Sequence, residues 1–209
     1  MTIRELAEKS MINKTGERPL EYLFVWTKLA PLLILDKPTR NKIKILDVGG
    51  GESKLSKTLA ELGFDVTVID IADVMHGKAK FVKENILTYE FPEVTFDILI
   101  SISTVEHIGL SSYKQTKLDP DGDIKTMHKI YKWLKPNGIA IITLPFGKPH
   151  HPPSFERVYN NETLKTRILA DKWEVLEENY ICKKDRWATC SKEEALSRDA
   201  TVLLMLMKC

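Results

Sequence analysis

The sequence predicts an α/β protein built on a doubly wound, mostly parallel sheet in a three-layer sandwich with helices. Three observations carry that reading. Short apolar runs rich in Val, Ile and Phe alternate with helix-like segments through most of the chain, and strands covered on both faces have that near-continuous apolar character. The 209 residues contain no repeat and no linker-like tract, so they read as a single domain, with 1–40 as a helical N-terminal cap and 41–209 as the core. The first strand-like run ends in "DVGGGES", a turn suited to the C-terminal edge of such a sheet, where ligands settle.

Taken in order, "RPLEYLFVWTKLAPLLIL" within the cap has helical spacing, broken at Pro31 and again at Pro38. "IKILDV" (43–48) reads as the first strand and "SKLSKTLAELG" (53–63) as the helix after it. "FDVTVIDI" (64–71), "AKFVKENI" (79–86) and "FDILISIS" (96–103) continue the alternation. "DGDIKTMHKIYKWLKPNG" reads as a helix starting near Gly122 or Asp123 and stopped by Pro136 and Gly138, which feed the strand "GIAIITLP". "NETLKTRILA" gives another helix, and "KWEVLEENYIC" and "ATVLLMLMKC" give two closing strands. "LDPDGD" imitates the start of a calcium loop, but the twelfth position from Asp119 is Ile130 instead of a glutamate, so it reads as a turn and cap.

Hydrophobic residues at 43% and charged ones at 29% place the chain among soluble globular proteins. Its 31 basic and 29 acidic residues leave a net charge of +2, which gives no argument for a polyanionic partner; Lys129, Lys132 and Lys135 read as the wet face of a helix. Cys182, Cys190 and Cys209 fit neither a metal spacing nor a disulfide framework, and point to a reducing compartment, the cytoplasm. "MTIRELAEKS" lacks the apolar core of a secretory signal, and no run is long enough to cross a bilayer.

At the glycine turn, Gly49, Gly50 and Gly51 bring bare backbone up to a ligand, and the helix that follows offers unpaired N–H groups. Asp70 ends the second strand, about 20 residues after the glycines, where a carboxylate can accept both hydroxyls of a ribose. A phosphate-cradling loop would require GK[ST], and the turn continues as "GESKLSK". A dinucleotide site would require a third glycine where Lys54 stands, and Asp47 would repel its pyrophosphate. A ligand with a cationic end suits Asp47 instead.

These residues resemble the class I S-adenosylmethionine-dependent methyltransferases, whose pattern is an acid followed by glycines at alternate positions. Asp47, Gly49 and Gly51 match it, with Ser53 in place of the last glycine, and the resemblance runs from about 43 to 145. It implies a Rossmann-like fold with a seven-stranded sheet whose last strand is antiparallel, and S-adenosylmethionine as cofactor. Asp47 with Gly49, Gly50 and Gly51 would hold the methionyl part, Asp70 the ribose, and Ile71 one face of adenine. Asn85 would lie near the adenine amino group with Ile86 alongside, and Ser103 at the fourth strand's exit is assigned to the cofactor too. Asn85 reads equally well as an ordinary turn residue.

Methyl transfer from a sulfonium needs an aligned acceptor and a group to take its proton. "STVEHIGL" lacks the asparagine-proline-proline-aromatic segment of many enzymes that methylate planar amino groups. Its Glu106 and His107 match an "EH" pair frequent among methyltransferases of small molecules, with His107 as base and Glu106 as support; a local cap is the competing reading. His150 and His151, in a proline-framed loop, together with Tyr113 and Arg157, would shape the acceptor site. A metal set of the kind used by a family that methylates RNA 3′ ends would need a glutamate where Ser103 stands, so no metal is expected. Further motifs, among them "EHIGL" and "RVYNNETL", look like a branch associated with surface-carbohydrate synthesis.

The reading is therefore an S-adenosylmethionine-dependent methyltransferase acting on a small polar acceptor, as in O-methylation of a sugar, with Tyr22 and Trp26 of the cap closing over the site. An RNA methyltransferase, a non-catalytic cofactor-binding scaffold serving another enzyme, and a nicotinamide-dependent oxidoreductase are the alternatives. RNA would require a basic surface and salt-sensitive binding, the scaffold would bind without turnover, and the oxidoreductase would bind nicotinamide.

Overall fold

A computed structural model describes residues 16–51, 53–72, 77–115, 118–149 and 151–209. His150 and residues 1–15 of the expected cap lie outside the described residues. Eight strands form one sheet in the order β3-β2-β1-β4-β5-β8-β6-β7. They are β1 (Lys44–Val48), β2 (Asp65–Asp70), β3 (Lys80–Lys83), β4 (Phe96–Ile102), β5 (Leu134–Gly147), β6 (Trp173–Lys183), β7 (Trp187–Cys190) and β8 (Asp199–Lys208). The first five are parallel, and β8 is antiparallel to both β5 and β6. The chain order reverses between β1 and β4, which opens a crevice at their C-terminal ends.

The first strand explains why these segments read as continuous apolar runs. Ile45 packs into one buried cluster while Leu46 and Val48 pack into another on the opposite face, so both sides of β1 need apolar side chains. The helices are α1 (Arg18–Leu29), α2 (Lys37–Arg40), α3 (Lys54–Glu61), α4 (Gly122–Trp133), α5 (Asn161–Thr163) and α6 (Lys192–Leu196). In α3 the Ser53 hydroxyl accepts the Leu55 N–H at 3.1 Å, and Leu55, Leu59 and Ala60 bury one face. α1 lays Phe24, Val25 and Leu29 onto the cluster that contains Ile45, and continues as a short 3-10 turn over Ala30–Ile34.

Several expectations are corrected. The sheet has eight strands instead of seven, because "WATC" forms the additional edge strand β7. "NETLKTRILA" forms only one α-turn, capped by the Asn160 side chain, before passing into a π-type turn over Leu164–Ile168. Cys182 and Cys190 are joined as a disulfide with Cα atoms 5.9 Å apart. The β6–β7 register pairs Tyr180 with Cys190 and Cys182 with Ala188, so the two cysteines meet diagonally across the hairpin, a juxtaposition their spacing alone does not reveal. The lysines of α4 and its exit are paired: Lys129 with Glu90 at 2.6 Å, Lys132 with Glu93 at 2.8 Å and Lys135 with Asp97 at 2.7 Å. No helix among the described residues is long and apolar enough to cross a membrane.

Candidate active site

The glycine turn folds back onto the two acids that flank it. Gly49 turns at φ 74°, and a Cβ built on Gly50 would lie 2.2 Å from Asp47 Oδ2, one on Gly51 2.5 Å from Asp70 Oδ2. Asp70 Oδ2 accepts the Gly51 N–H and Oδ1 the Ala72 N–H, both at 2.8 Å, which leaves acceptor capacity on both oxygens. Asp47 is 2% exposed and accepts a hydrogen bond from the Ser56 hydroxyl. Burial pushes its carboxyl up to about 6; the Ser56 bond opposes the rise, nearby Asp70 adds to it, and Arg18 offsets part.

Of the adenine-side residues, Ile71 is exposed at the end of β2. Asn85 Oδ1 accepts the Leu87 N–H at 2.9 Å, so it is at least a turn residue. Ile86 differs from expectation: its side chain is buried in the core beneath, and its carbonyl accepts a hydrogen bond from Lys129 at 3.0 Å.

Ser103 leaves β4 at φ 42°, and its hydroxyl is donated to Glu21 Oε1 of α1 at 2.5 Å. The Thr143 hydroxyl donates to the same oxygen at 2.6 Å. Glu21 is fully buried, and Arg18, 3.4 Å from its Oε2, also donates to the Ile102 carbonyl at 3.0 Å. The Ser103 hydroxyl, expected at the cofactor, is thus engaged in tying α1 to the sheet end. Desolvation raises the Glu21 carboxyl above its ordinary value, against the pull of Arg18 and the two hydroxyls. Tyr22 reaches over the glycine turn to the Ser53 hydroxyl at 3.4 Å.

Glu106 and His107 occupy a 3-10 turn immediately after β4. His107 Nδ1 lies 2.7 Å from the Phe155 carbonyl oxygen, which makes Nδ1 the protonated nitrogen and leaves the Nε2 lone pair available. Burial holds the imidazole below its ordinary value, so it is neutral at pH 7. Its ring meets Tyr113 and Phe155 edge-on at 4.9 and 5.0 Å. Glu106 is fully buried, neither carboxylate oxygen has a side-chain hydrogen-bond partner among the described residues, and Oε1 is 3.6 Å from His107 Nε2. Burial drives its carboxyl well above the usual range, against its own backbone N–H, with Glu21 and Glu156 adding to the rise and Arg18 offsetting part.

These groups open on a cavity of about 160 Å³, whose wall includes Ser103, Glu106, His107, Tyr113 and His151. Of the residues expected at the acceptor, His151 and Tyr113 are therefore brought to His107. Arg157 is not among the residues that line this cavity. Its guanidinium donates to the carbonyls of Glu106, Ile108, Asp119 and Pro120 at 2.8–3.2 Å, and Nε is 3.5 Å from Asp123. It braces the loop that carries the Glu106–His107 pair. The "LDPDGD" segment is the turn and helix start expected of it, and Asp123 is its hub, accepting from Tyr159 at 3.0 Å and from Arg167 at 2.7 and 2.9 Å.

The sequence reading missed Glu21, Arg18 and Ser56, together with Glu17, Glu156 and Asp199 of the cavity wall. For Glu21 a signal existed, because it shares one helical face with Phe24, Val25 and Leu29. Ser56 likewise stands on the buried face of α3 beside Leu55 and Leu59.

This crevice, with two acids around a glycine turn and a histidine at the next strand's exit, is the arrangement of a class I S-adenosylmethionine-dependent methyltransferase. Residues 21–185 match the family described as a methyltransferase domain, and the chain belongs to that family. It is 31% identical over 113 residues to a ubiquinone biosynthesis O-methyltransferase of Rickettsia akari, covering 49% of this chain and 40% of that protein. It is 29% identical over 122 residues to a phosphoethanolamine N-methyltransferase of Plasmodium falciparum, covering 53% and 42%. The chain thus spans about two fifths of the length of these curated relatives. In fold it resembles the N-methyltransferase NodS of Bradyrhizobium japonicum in complex with S-adenosylhomocysteine, with TM-score 0.61, 13% identity and coverage of 94% of this chain and 90% of that one. It also resembles a Burkholderia thailandensis 1,6-didemethyltoxoflavin-N1-methyltransferase, with TM-score 0.57, 17% identity and coverage of 88% and 80%.

The residues present fit S-adenosylmethionine, the cofactor of this class. The cradle at Gly50 and Gly51 has no room for side chains, and Asp47, buried with one side-chain donor among the described residues, is a carboxylate that a cationic group would stabilise. When bound, the cofactor supplies an electrophilic methyl group.

Proposed function

We propose that the chain methylates an oxygen or nitrogen atom of a small polar acceptor, such as a sugar, held in the cavity beside His107. The observation that supports this is the fixed tautomer of His107, which lines a cavity at the exit of β4. The chain works as one domain: α1 closes the site through Arg18 and Glu21, Asp47 and Asp70 hold the two ends of the cofactor, and His107 accepts the acceptor's proton. Glu106, 3.6 Å from Nε2, stabilises the imidazolium that results. Named relatives on both sides of the oxygen–nitrogen divide support leaving the acceptor atom open.

An RNA substrate fits less well, because the lysines of α4 are neutralised by acids and the cavity wall carries carboxylates that would repel phosphate. Action in the cytoplasm is part of the proposal, and a Cys182–Cys190 bond found intact in cells lysed directly into an alkylating agent would move it to an oxidising compartment. Calorimetry with S-adenosylhomocysteine, followed by labelled methyl transfer to a panel of sugars and amines, tests the whole. Binding with turnover is the expected result; binding without turnover of any acceptor would favour the scaffold, and absence of binding would end the reading.

A further inference from the structure

Resting on the reading of His107 as the base, we propose that Asp123, a buried acid of the "LDPDGD" segment outside the cavity wall, is a positioning residue: acting through Arg157, it holds the His107 imidazole in the Nδ1–H tautomer. The histidine and the Phe155 carbonyl that fixes it lie on two segments outside the sheet, the 3-10 turn Val105–His107 and a loop after Pro153. Arg157 links the two. Its backbone N–H donates to the Glu106 carbonyl at 3.2 Å, and its guanidinium donates to the carbonyls of Glu106 and Ile108, on either side of the histidine, at 3.0 and 2.8 Å. The same guanidinium reaches the carbonyls of Asp119 and Pro120, which ties "LDPDGD" to the turn. Bare backbone lets the two segments touch: a Cβ on Gly122 would lie 2.3 Å from the Ile108 carbonyl oxygen, and one on Gly109 2.2 Å from that of Asp119.

Charge decides whether Arg157 stays there. Its side chain is only 13% exposed, and a desolvated cation that lost its carboxylate partner would be costly. Asp123 supplies that partner at the start of α4. Its carboxylate is fully buried, with Arg157 Nε 3.5 Å from Oδ1. Arg167 forks onto both oxygens, Nη2 to Oδ1 at 2.7 Å and Nε to Oδ2 at 2.9 Å, and the Tyr159 hydroxyl donates to Oδ2 at 3.0 Å. Two guanidinia thus share one carboxylate. Were it neutral, they would face each other uncompensated, and Arg157, whose contact with the acid is the longer, would turn toward solvent. The Phe155 carbonyl could then part from Nδ1, and the imidazole would revert toward the Nε2–H form that a histidine side chain favours in water. In that form Nε2 has no lone pair with which to take a proton.

Two-bond 1H–15N spectra of the full chain labelled with 15N-histidine, at pH 8, read the tautomer directly, and His107→Asn identifies the resonance. The parent should show the Nδ1–H form. Asp123→Asn removes the charge and keeps the volume, whereas Arg157→Lys keeps the charge and lacks the fork. In both, the Nε2 resonance should move toward its protonated position. With an acceptor that the panel turns over, kcat should fall about tenfold or more while affinity for S-adenosylhomocysteine stays within about threefold of the parent. Arg167→Lys, which loosens the same acid while leaving Arg157 in place, should keep the parent's tautomer. A melting curve establishes that each variant is folded, and Arg157→Lys decides alone where Asp123→Asn is not. An unchanged tautomer in the folded variants, or an equal change in Arg167→Lys, overturns the inference while leaving the proposed function standing. A changed tautomer with unchanged kcat overturns it too and removes His107 as base, as does a parent already in the Nε2–H form. The spectra need no acceptor, so failure to bind S-adenosylhomocysteine or to turn over any acceptor counts against the proposed function and is read separately.

Discussion

His107 Nδ1 donates to the carbonyl oxygen of Phe155 at 2.7 Å, across 48 residues of sequence. The contact fixes the tautomer and makes the position of the imidazole, the proposed base, depend on a loop held by Arg157. Because burial keeps the imidazole below its ordinary value of 6.5, the rate should rise with pH through a point below 6.5 and stay flat from pH 7 to 8.5. His107→Asn should lower kcat by a factor on the order of 10² to 10⁴, with binding of S-adenosylhomocysteine unchanged. Labelled methyl transfer across pH, set beside calorimetry, checks both; a fall in cofactor affinity equal to the fall in rate would remove His107 from the role of base.

Asp47 should make cofactor affinity depend on pH in the opposite region from its effect on stability. Its carboxyl sits at about 6 in the folded chain against an ordinary 3.8. The ionised form is the one that attracts a cationic methionyl group, so affinity for S-adenosylhomocysteine should weaken as pH falls through 6. For stability the sign reverses. A raised folded value contributes stability that is complete below about 3.8 and is lost as pH rises through 6. The two-unit difference corresponds to about 3 kcal/mol. Asp47→Asn should therefore melt higher than the parent at pH 8 while binding the cofactor more weakly and without the acid limb. Calorimetry and thermal melts at pH 5, 6.5 and 8 read both effects.

The contrast between Asp47 and Glu156 shows how far the sequence could be read. Asp47, its glycines and Asp70 are local: an apolar run, a turn and an acid at a strand end determine their placement, and the structure puts them around one crevice. β7 escaped because Trp187–Cys190 is a four-residue edge strand defined by its pairing with β6, too short to show a period. The clamp of Arg157, the Cys182–Cys190 bond and the cavity acids Glu17, Glu156 and Asp199 escaped for the same reason. Their partners are brought together by the fold and leave no mark in local spacing. Glu21 is the intermediate case, legible as a charge on an apolar helical stripe but with partners 82 and 122 residues away.

Gly50→Ala should cost both stability and cofactor binding, because its Cβ would lie 2.2 Å from Asp47 Oδ2. Overpacking at such a site costs about 1–3 kcal/mol, and the displaced carboxylate should weaken S-adenosylhomocysteine about tenfold or more. Gly16→Ala is the control, since nothing lies within 4 Å of its Cβ. Chemical denaturation and calorimetry on the two variants settle the matter; equal behaviour would mean that the turn has room to spare.

The β6–β7 hairpin should loosen on reduction. The disulfide closes a separation of 8 residues between Cys182 and Cys190, for which loop-closure entropy gives roughly 2.5 kcal/mol. Dithiothreitol or Cys190→Ser should lower Tm by several degrees, with Cys209 the cysteine that alkylates before reduction. Intact mass after alkylation, with and without reductant, reads the pairing directly. Two further alkylations should appear only after reduction, and three without it would show that the pair is open.

Glu21 should separate the loss of a buried charge from the loss of a latch. In the folded chain it accepts the hydroxyls of Ser103 and Thr143 on one oxygen while Arg18 faces the other. Its carboxyl is raised by burial, so at pH 8 the ionised form opposes folding. Glu21→Gln keeps the volume and one acceptor oxygen, and should melt at or above the parent at pH 8 with α1 still protected. Glu21→Ala strands the buried Thr143 hydroxyl and the half-buried Ser103 hydroxyl and opens a void, and should cost about 2–3 kcal/mol. Its effect should concentrate in residues 18–29, which hydrogen exchange would find open several-fold faster than in Glu21→Gln. Because Arg18 reaches the acceptor cavity from the same helix, Glu21→Ala should raise the acceptor's KM more than it lowers kcat. Uniform exchange across α1 in both variants would show that the apolar face of Phe24, Val25 and Leu29 holds the helix without the carboxylate.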